Sequence, residues 1–399
     1  MKLKSENLSQ NELAKFKNLY TLDWELKDAD TRYYTHGYHP YSAKYIPQIP
    51  NRLISYFTEK NDLVLDTFMG SGTTLVESKV LGRNAIGIDV NPLACLISKV
   101  KTTTIQKFAL VEISNILTFL KEDILDLRGG GGNITTFNHG EKRASMIDNS
   151  ISNNTLHPNI PKWYNQNVIH ELLAIKSRID TAENNDVKDF LLVSLSSILR
   201  SVSNATTGFG NLMINKQALP KIRIYEKFAL VVRDMMKSMS EFSKGATNSD
   251  IRIVNHDSRR IEFIDDETID FICTHPPYMA AVPYAEYQKL SLWWLGFSQY
   301  ELEKRLIGGR RGRADTPDRF FHDINMALIE MKRVLRKKKY CCIIIGNPVY
   351  NGKVWKLNDF IKKDATDIGF ILMTEINRRK YRSTMGKMKE EYILIFRNE

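Results

Sequence analysis

The chain has 399 residues, of which 43% are hydrophobic and 26% are charged, a balance typical of globular proteins and not of disordered ones. Its formal net charge of +11 favours a polyanionic partner such as nucleic acid. No apolar run approaches the ~20 residues of a membrane-spanning helix, and the first residues are too polar for a secretory signal. We therefore expect a cytoplasmic protein with no membrane partner.

The four cysteines are Cys95, Cys273, Cys341 and Cys342. They lie in apolar segments, and none of them forms a CxxC pair. This pattern is typical of buried thiols and not of disulfides or metal ligands, so we predict no metal site.

The first predicted elements form a parallel βαβ unit within residues 1–104. The segment DLVLD (62–66) predicts a strand, and it is followed by a glycine-rich turn and a stretch with helical spacing. A second predicted strand, AIGID (85–89), leads into another helix. This order of elements is typical of an open sheet with helices on its faces.

Residues 105–248 lack the alternation of strands and are predicted to form a mostly helical insertion. Helical spacing is clear in VEISNILTFLKEDILDL and returns after Pro161, beyond a glycine run. Since this region is extra to the sheet, it is our candidate for target recognition.

The strand pattern resumes in residues 249–399. Strands are predicted at 251–257, 269–275, 340–347, 370–376 and 390–396, and helices at 325–337 and 357–369. The two halves together predict an α/β fold, a doubly wound Rossmann-like sheet that is interrupted by the helical insertion.

The glycine-rich turn after the first strand predicts a cofactor site. It reads Asp66-Thr67-Phe68-Met69-Gly70-Ser71-Gly72-Thr73-Thr74. Glycines allow close approach of a ligand, and Asp89 at the end of the next strand can bind the hydroxyls of a ribose. The alternative is a packing turn, with Asp89 capping the following helix.

The turn lacks the third glycine of dinucleotide-binding folds, and Asp66 would repel a pyrophosphate. The same acid would attract the ammonium group of a ligand with an amino acid end and no phosphate. The turn therefore predicts S-adenosylmethionine as the cofactor.

Three segments resemble motifs of the amino-methyltransferases that act on exocyclic nitrogens of DNA bases. DTFMGSGTT (66–74) resembles their motif I, and HPPY (275–278) resembles their motif IV, usually (D/N/S)PP(Y/F/W). Residues 37–47 resemble motif X, which packs over the cofactor. The resemblance implies the class I methyltransferase sheet.

The resemblance also implies roles for single residues. Asp66 would face the methionine end of the cofactor, Asp89 would bind its ribose, and Asp257 would lie near the adenine amino group; a solvent-facing turn acid is the alternative for Asp257. The full set of implied cofactor contacts is His39, Pro40, Asp66, Phe68, Gly70, Ser71, Gly72, Thr73, Thr74, Asp89 and Asp257.

The implied catalytic residues are His275, Pro276, Pro277 and Tyr278. The prolines would fix the Pro276 carbonyl as an acceptor for the target amine, and Tyr278 would offer a face for stacking the extruded base. His275 stands where the family has Asp, Asn or Ser. A neutral imidazole nitrogen can accept one hydrogen bond or a proton, although the residue could also only fill space in a disabled site.

Basic and polar residues outside these motifs are predicted to contact DNA. They are Arg310, Arg311 and Arg313 in a glycine-rich loop, Arg378 and Arg379 after a strand, and Arg200, Ser203 and Asn204 in the insertion. A solvated loop without a partner would have the same composition.

Together these features predict a site-specific DNA methyltransferase that transfers methyl from S-adenosylmethionine to an exocyclic amine. Cytosine N4 is favoured over adenine N6, since the segment after HPPY resembles SPPY members. Double-stranded DNA with base flipping is the expected partner, and a cognate restriction endonuclease is a further one. The alternatives are an RNA base methyltransferase and a DNA-binding protein with a disabled site.

Overall fold

The computed structural model describes residues 10–129, 155–206, 212–215, 223–279, 283–307, 316–350, 352–379 and 390–399. The strands of this part are β1 (Leu63–Asp66), β2 (Asn84–Ile88), β3 (Ile251–Val254), β4 (Ile269–Thr274), β5 (Leu335–Gly346), β6 (Val349–Tyr350), β7 (Lys353–Val354), β8 (Phe370–Arg379) and β9 (Glu390–Asn398). None of the helices within the described ranges combines the length and the hydrophobicity that a membrane span requires.

Within the described residues, seven strands form one mixed sheet in the order β3-β2-β1-β4-β5-β9-β8. The pairs from β3 to β5 are parallel, whereas β9 runs antiparallel to both β5 and β8. The strand order reverses between β1 and β4, so the loops after these two strands diverge. Such a switch point opens a crevice at the carboxyl ends of the strands, where ligands bind in open α/β sheets.

The helices are α1 (Gln10–Thr21), α2 (Gln48–Phe57), α3 (Thr73–Leu81), α4 (Pro92–Thr102), α5 (Lys107–Leu127), α6 (Ile160–Trp163), α7 (Gln166–Asp180), α8 (Asn185–Val202), α9 (Ile224–Gly245), α10 (Tyr284–Trp294), α11 (Gln299–Arg305), α12 (Thr316–Val334) and α13 (Leu357–Asp367).

Helices cover both faces of the sheet. Val64 of β1 packs into a core with side chains of α1, α2 and α3, whereas its neighbour Leu65 packs into a second core with side chains of α12 and α13. Successive strand residues point to opposite faces, so a strand buried on both sides is mostly apolar. All six residues of β4 are buried, and its two polar residues are bonded: Asp270 pairs with Arg336, and Thr274 donates to Asp66. The predicted doubly wound fold is confirmed.

The described part of residues 105–248 consists of α5 to α9 and contributes no strand to the main sheet. These helices share a third core with α4 and α10, which includes Ile97, Phe190 and Trp294. The helical region therefore rests on the helices that follow β2 and β4. The division of the chain at residues 104 and 248 stays a prediction.

Candidate active site at the ends of β1, β2 and β4

One cavity lies at the carboxyl ends of β1, β2 and β4. Its wall draws on the segment before α2, the turn after β1, the residues after β2 and β3, the corner after β4, the first residue of α10 and the two residues after α11. The lining residues are Tyr41, Ser42, Ala43, Lys44, Tyr45, Phe68, Met69, Gly70, Ser71, Thr73, Asp89, Val90, Asn91, Asp257, Ser258, His275, Pro277, Tyr284, Leu306 and Ile307.

The glycine turn is built so that backbone lies at the cavity. Gly70 and Gly72 have positive φ angles of 49° and 77°, a conformation that glycine adopts without steric cost. A Cβ at Gly72 would lie 2.8 Å from Ser98 Oγ, so this position has no room for a side chain. Helix α3 begins at Thr73 and directs its first free amides toward the turn.

Most of the predicted motif I residues line the cavity. Phe68, Gly70, Ser71 and Thr73 are in its wall, whereas Gly72 and Thr74 stand behind it. Ser71 Oγ is buried and has no hydrogen-bond partner in the described part of the chain. A buried hydroxyl without a partner is costly, so a ligand group that bonds to it would be stabilised.

Asp66 is fully buried behind the turn and is not part of the cavity wall. Its carboxylate accepts hydrogen bonds from Thr74 Oγ1 at 2.5 Å, from Thr274 Oγ1 at 2.7 Å and from the Phe68 amide at 3.1 Å. Burial raises the pKa of Asp66, and the two threonine hydroxyls oppose that shift. The structure therefore assigns Asp66 to joining β1, β4 and α3, not to the predicted contact with the methionine end of the cofactor.

Asp89 lines the cavity at the end of β2. Its Oδ2 accepts from the Gly70 amide at 3.0 Å and its Oδ1 from the Asn91 amide at 2.8 Å. Burial raises the pKa of Asp89 to about 6, against the effect of these two amides. The carboxylate is thus held at the wall, as the predicted ribose contact requires.

Asp257, after β3, also lines the cavity. Burial alone would raise its pKa, but hydrogen bonds from the Arg259 side chain and amide hold the pKa of Asp257 below its ordinary value. The Arg259 guanidinium lies 2.6 Å from Asp257 Oδ2. Asp257 is therefore an anion at neutral pH.

The motif X segment reaches the cavity through other residues than the two predicted. His39 and Pro40 lie outside the wall, and Nε2 of buried His39 is 2.9 Å from Ser196 Oγ. The residues that follow, 41–45, line the cavity. Among them, Lys44 donates to the His36 carbonyl at 2.9 Å, and burial lowers the pKa of Lys44 to about 8.

At the corner after β4, His275 and Pro277 line the cavity and Pro276 does not. Tyr278 is buried in the core beside α12 and is also absent from the wall. Its hydroxyl lies 2.7 Å from His275 Nε2 and donates to Glu391 Oε1 at 3.0 Å. The structure thus does not place the Tyr278 ring for the predicted stacking on a base.

In the helical region, the three predicted DNA contacts all interact with other residues of the chain. Ser203 is buried and donates to the Arg200 carbonyl at 2.7 Å. The Asn204 amide donates to the Trp163 carbonyl at 2.7 Å, so both residues shape the turn after α8. The Arg200 guanidinium is partly exposed and lies 4.4 Å from the centre of the Tyr287 ring.

The two arginines at the end of β8 differ sharply. Arg378 is 5% exposed, and it pairs with Glu391 at 2.5 Å and donates to the Trp24 carbonyl at 2.8 Å. It is therefore a structural residue and not the predicted DNA contact, whereas Arg379 is exposed. The other predicted contacts, Arg310, Arg311 and Arg313, lie outside the described residues.

Besides residues 41–45, other residues of the site were not predicted, among them three with polar side chains. Tyr284 and Asn91 line the cavity, and Glu391 is hydrogen-bonded to the corner through Tyr278. The Asn91-Pro92 pair is a recognisable start of a helix, with the Asn91 side chain accepting from the Leu93 amide at 3.0 Å. No local sequence pattern indicates a role for Glu391, because it lies 113 positions beyond Tyr278.

The cavity suits a ligand with hydroxyl and cationic groups. It has the carboxylates of Asp89 and Asp257 in its wall, and Lys44 is the only lysine or arginine among its described lining residues. A phosphate ligand would face net repulsion from these carboxylates. The ribose hydroxyls, amino group and sulfonium of S-adenosylmethionine fit the same acceptors.

Comparison with known proteins agrees with this arrangement. The family described as DNA methylase matches residues 2–100. The type II methyltransferase M.MjaII of Methanocaldococcus jannaschii is 24% identical over 94% of this chain and 83% of its own length. The type II methyltransferase M.MvaI of Kocuria varians is 30% identical over 71% of this chain, which spans only 63% of that relative.

Solved structures resemble the chain only weakly. A putative DNA modification methylase of Thermus thermophilus in complex with S-adenosyl-L-methionine has a TM-score of 0.25 and 19% identity, over 36% of this chain and 53% of its own. A TehB-like methyltransferase of Corynebacterium glutamicum has a TM-score of 0.32 and 11% identity, over 98% and 97% of the two chains. The sequence relatives carry the comparison: over residues 2–100 the chain resembles the family described as DNA methylase, and over most of its length it resembles type II methyltransferases.

Proposed function

We propose that the protein methylates an exocyclic amino group within a specific DNA sequence, as the modification enzyme of a restriction-modification system. The observation that supports this most is that Phe68, Asp89 and His275 line one cavity. A cofactor site and a candidate acceptor for the target amine thus share one space. The relatives M.MjaII and M.MvaI are type II methyltransferases, which supports the restriction-modification setting.

The residues of the cavity divide into two roles. On the cofactor side, Asp89 is the acceptor for ribose hydroxyls and Ser71 a donor or acceptor for a polar group of the ligand. When bound, S-adenosylmethionine supplies an electrophilic methyl group, whose bond to sulfur breaks with the electron pair left on sulfur as the bond to nitrogen forms. The wall excludes water and aligns the two reacting centres, which is the main contribution to such a transfer.

On the substrate side, His275 is the acceptor for a hydrogen of the target amine. The lone pair of an exocyclic amine is delocalised into the base, so an acceptor on its hydrogen increases the electron density on nitrogen. The cavity lies at the end of a sheet and a base inside a duplex cannot reach it, so we infer that the target base is flipped out of the helix.

Cytosine N4 is our preferred target over adenine N6. This preference comes from the segment after Tyr278, which resembles SPPY members. We also propose a cognate endonuclease that cuts the unmethylated sequence.

The test is to sequence host DNA with a readout sensitive to methylation, with and without expression of the gene. We expect methylation of cytosine N4 or adenine N6 at one short sequence only when the gene is expressed. Methyl groups found in total RNA but not in DNA would establish the RNA alternative. Cofactor binding without methyl transfer to either nucleic acid would indicate a disabled site.

A further inference from the structure

A chain of buried hydrogen bonds leads away from the cavity wall at His275. Nε2 of His275 lies 2.7 Å from the Tyr278 hydroxyl, which donates to Glu391 Oε1 at 3.0 Å. The other carboxylate oxygen of Glu391 pairs with Arg378 at 2.5 Å. His275 is 8% exposed and Glu391 is 0% exposed, so water does not compete for these bonds. The cavity wall is thus connected to an ion pair between β8 and β9.

The hydrogens of this chain have one consistent direction. Burial, together with the Glu391 charge, raises the pKa of Tyr278 well above its ordinary value, so its hydroxyl keeps its single hydrogen at neutral pH. That hydrogen is donated to Glu391, which accepts only, because its pairing with Arg378 favours the carboxylate. The Tyr278 oxygen must then accept from His275, which places a hydrogen on Nε2.

A neutral imidazole carries one hydrogen, so this arrangement leaves the lone pair on Nδ1. Nδ1 has no hydrogen-bond partner in the described part of the chain, and His275 lines the cavity. The second ring nitrogen is therefore an acceptor for a ligand.

We propose that Tyr278, Glu391 and Arg378 are positioning residues that hold His275 in the Nε2-protonated form, so that Nδ1 accepts the hydrogen, and then the proton, of the target amine. This inference rests on the proposed function. It makes the histidine that replaces the Asp, Asn or Ser of the family motif the proton acceptor. It also gives a positioning role to residues of β8 and β9, which lie outside that motif.

The proton balance follows directly. After the nitrogen has gained the methyl group it carries a positive charge and one hydrogen too many. That hydrogen passes to Nδ1, and the electron pair of its bond stays on nitrogen. The imidazolium that forms keeps its Nε2 hydrogen bond to Tyr278 and faces Glu391, whose Oε1 lies 3.7 Å from Nε2. When the methylated base leaves, Nδ1 releases the proton to water.

Other groups face His275 from the neighbouring elements. They are Tyr45 before α2, with ring centres 5.2 Å apart, Asp66 of β1, Tyr278 of the corner, Arg378 of β8 and Glu391 of β9. Burial raises the pKa of Tyr45 well above its ordinary value, so it stays neutral. Asp66 is bonded to Thr74 and Thr274. Among these groups, Tyr278 forms the hydrogen bond to the imidazole and Glu391 sets the direction of that bond.

The first test reads the imidazole itself and needs no activity. In the full chain labelled with ¹⁵N-histidine, the His275 resonances are those lost in His275→Asn. The two ring nitrogens have distinct ¹⁵N shifts in each tautomer, and we expect the hydrogen of the neutral imidazole on Nε2 and none on Nδ1. Protonation of Nδ1 instead would overturn the inference.

The second test measures methyl transfer in a single turnover as a function of pH. Glu391→Gln removes the charge that stabilises the imidazolium, so we expect a roughly 10-fold slower transfer. The acid limb, which is the fall of the single-turnover rate at low pH, should move to lower pH. The dissociation constant of S-adenosylmethionine should be unchanged. A purely structural role would slow the reaction without moving the acid limb, and that result would contradict the proposal.

Tyr278→Phe decides the question if Glu391→Gln does not fold, because it keeps the ring and removes only the hydroxyl. The acid limb should move in the same direction. The matched control is Tyr225→Phe, which removes a buried hydroxyl bonded to the Leu117 carbonyl at 3.1 Å and should leave the limb in place. If the wild-type protein methylates no DNA, the proposed function fails, whereas an active protein with an unmoved limb refutes only the inference.

Discussion

The two walls of the cavity are built in different ways. The cofactor side is formed mainly by backbone groups. Gly70 and Gly72 form the turn, and the Gly70 and Asn91 amides donate hydrogen bonds to the Asp89 carboxylate. On the catalytic side, a side chain is held by other side chains, since His275 depends on Tyr278 and Glu391. In the first wall, the bonded residues Gly70 and Asp89 lie 19 positions apart along the chain. In the second wall, Tyr278 and Glu391 lie 113 positions apart.

Because the two walls are built differently, we expect substitutions in one wall to affect cofactor binding and substitutions in the other to affect the rate of methyl transfer. Damage to the cofactor wall should weaken binding, because it removes contacts made before and during the reaction. Damage to the catalytic wall should slow the transfer and leave binding intact, because its contacts are to the target amine. The following changes test that separation.

His275→Ala should have the largest effect on the catalytic wall. We expect the single-turnover rate to fall by roughly 10²-fold or more, the range for loss of a group that accepts a proton in the reaction. Titration calorimetry should find the affinity for S-adenosylmethionine nearly unchanged. The control is His322→Ala on the exposed face of α12. A His275→Ala protein that turns over at the wild-type rate would exclude the acceptor role.

Arg378→Ala should destabilise the fold behind that wall. It removes the cation that pairs with the fully buried Glu391, which costs about 3–5 kcal/mol of unfolding free energy. Arg379→Ala, one residue along and exposed, should change the unfolding free energy by less than about 0.5 kcal/mol. Urea titration of both variants measures the difference, and equal losses would contradict the structural role of Arg378.

Asp89→Asn should weaken the cofactor wall. Losing the charged acceptor for the ribose costs about 1.5–3 kcal/mol, or roughly 10- to 100-fold in the dissociation constant of S-adenosylmethionine. The wild-type affinity should itself fall as the pH drops through about 6, where Asp89 gains a proton. The variant should lack that pH dependence. If wild type and variant respond to pH alike, Asp89 is not the group that titrates.

Arg379→Ala should have the smallest effect, and it should change only the affinity for DNA. Removing one phosphate contact should weaken binding a few-fold and reduce the salt slope of the binding constant by about one. Fluorescence anisotropy at several salt concentrations measures both quantities. An unchanged slope would mean that the exposed guanidinium does not face the nucleic acid.

The fold and the cofactor wall could be predicted because their signals are local. A fully buried strand such as β4 is a short, mostly apolar run, and the glycines of the turn are required where they occur. Even here the sequence predicts a ligand contact for Asp66, whereas Thr74 and Thr274 donate hydrogen bonds to its carboxylate in the structure. The sequence shows that an acidic residue stands at this position, but the hydrogen-bond partners of Asp66 depend on how β1 packs beside β4.

The catalytic wall could be predicted only in part. HPPY identified the corner, but the burial of Tyr278 and its bond to Glu391 depend on the register of distant strands. Arg378 and Glu391 are direct partners in the antiparallel pair of β8 and β9, which no local pattern reveals. For the same reason Arg378 looked like a free basic residue beside Arg379.

The proposed function requires that methyl transfer to an exocyclic nitrogen of DNA take place in this cavity. Its most direct test is to incubate duplex DNA containing the target sequence with the protein and labelled S-adenosylmethionine, digest the DNA to nucleosides and identify the labelled one. We predict label in N4-methylcytosine or N6-methyladenine, appearing roughly 10²-fold more slowly when His275→Ala replaces the wild type. Label on a ring carbon, or no label in DNA from a protein that binds the cofactor, would contradict the claim.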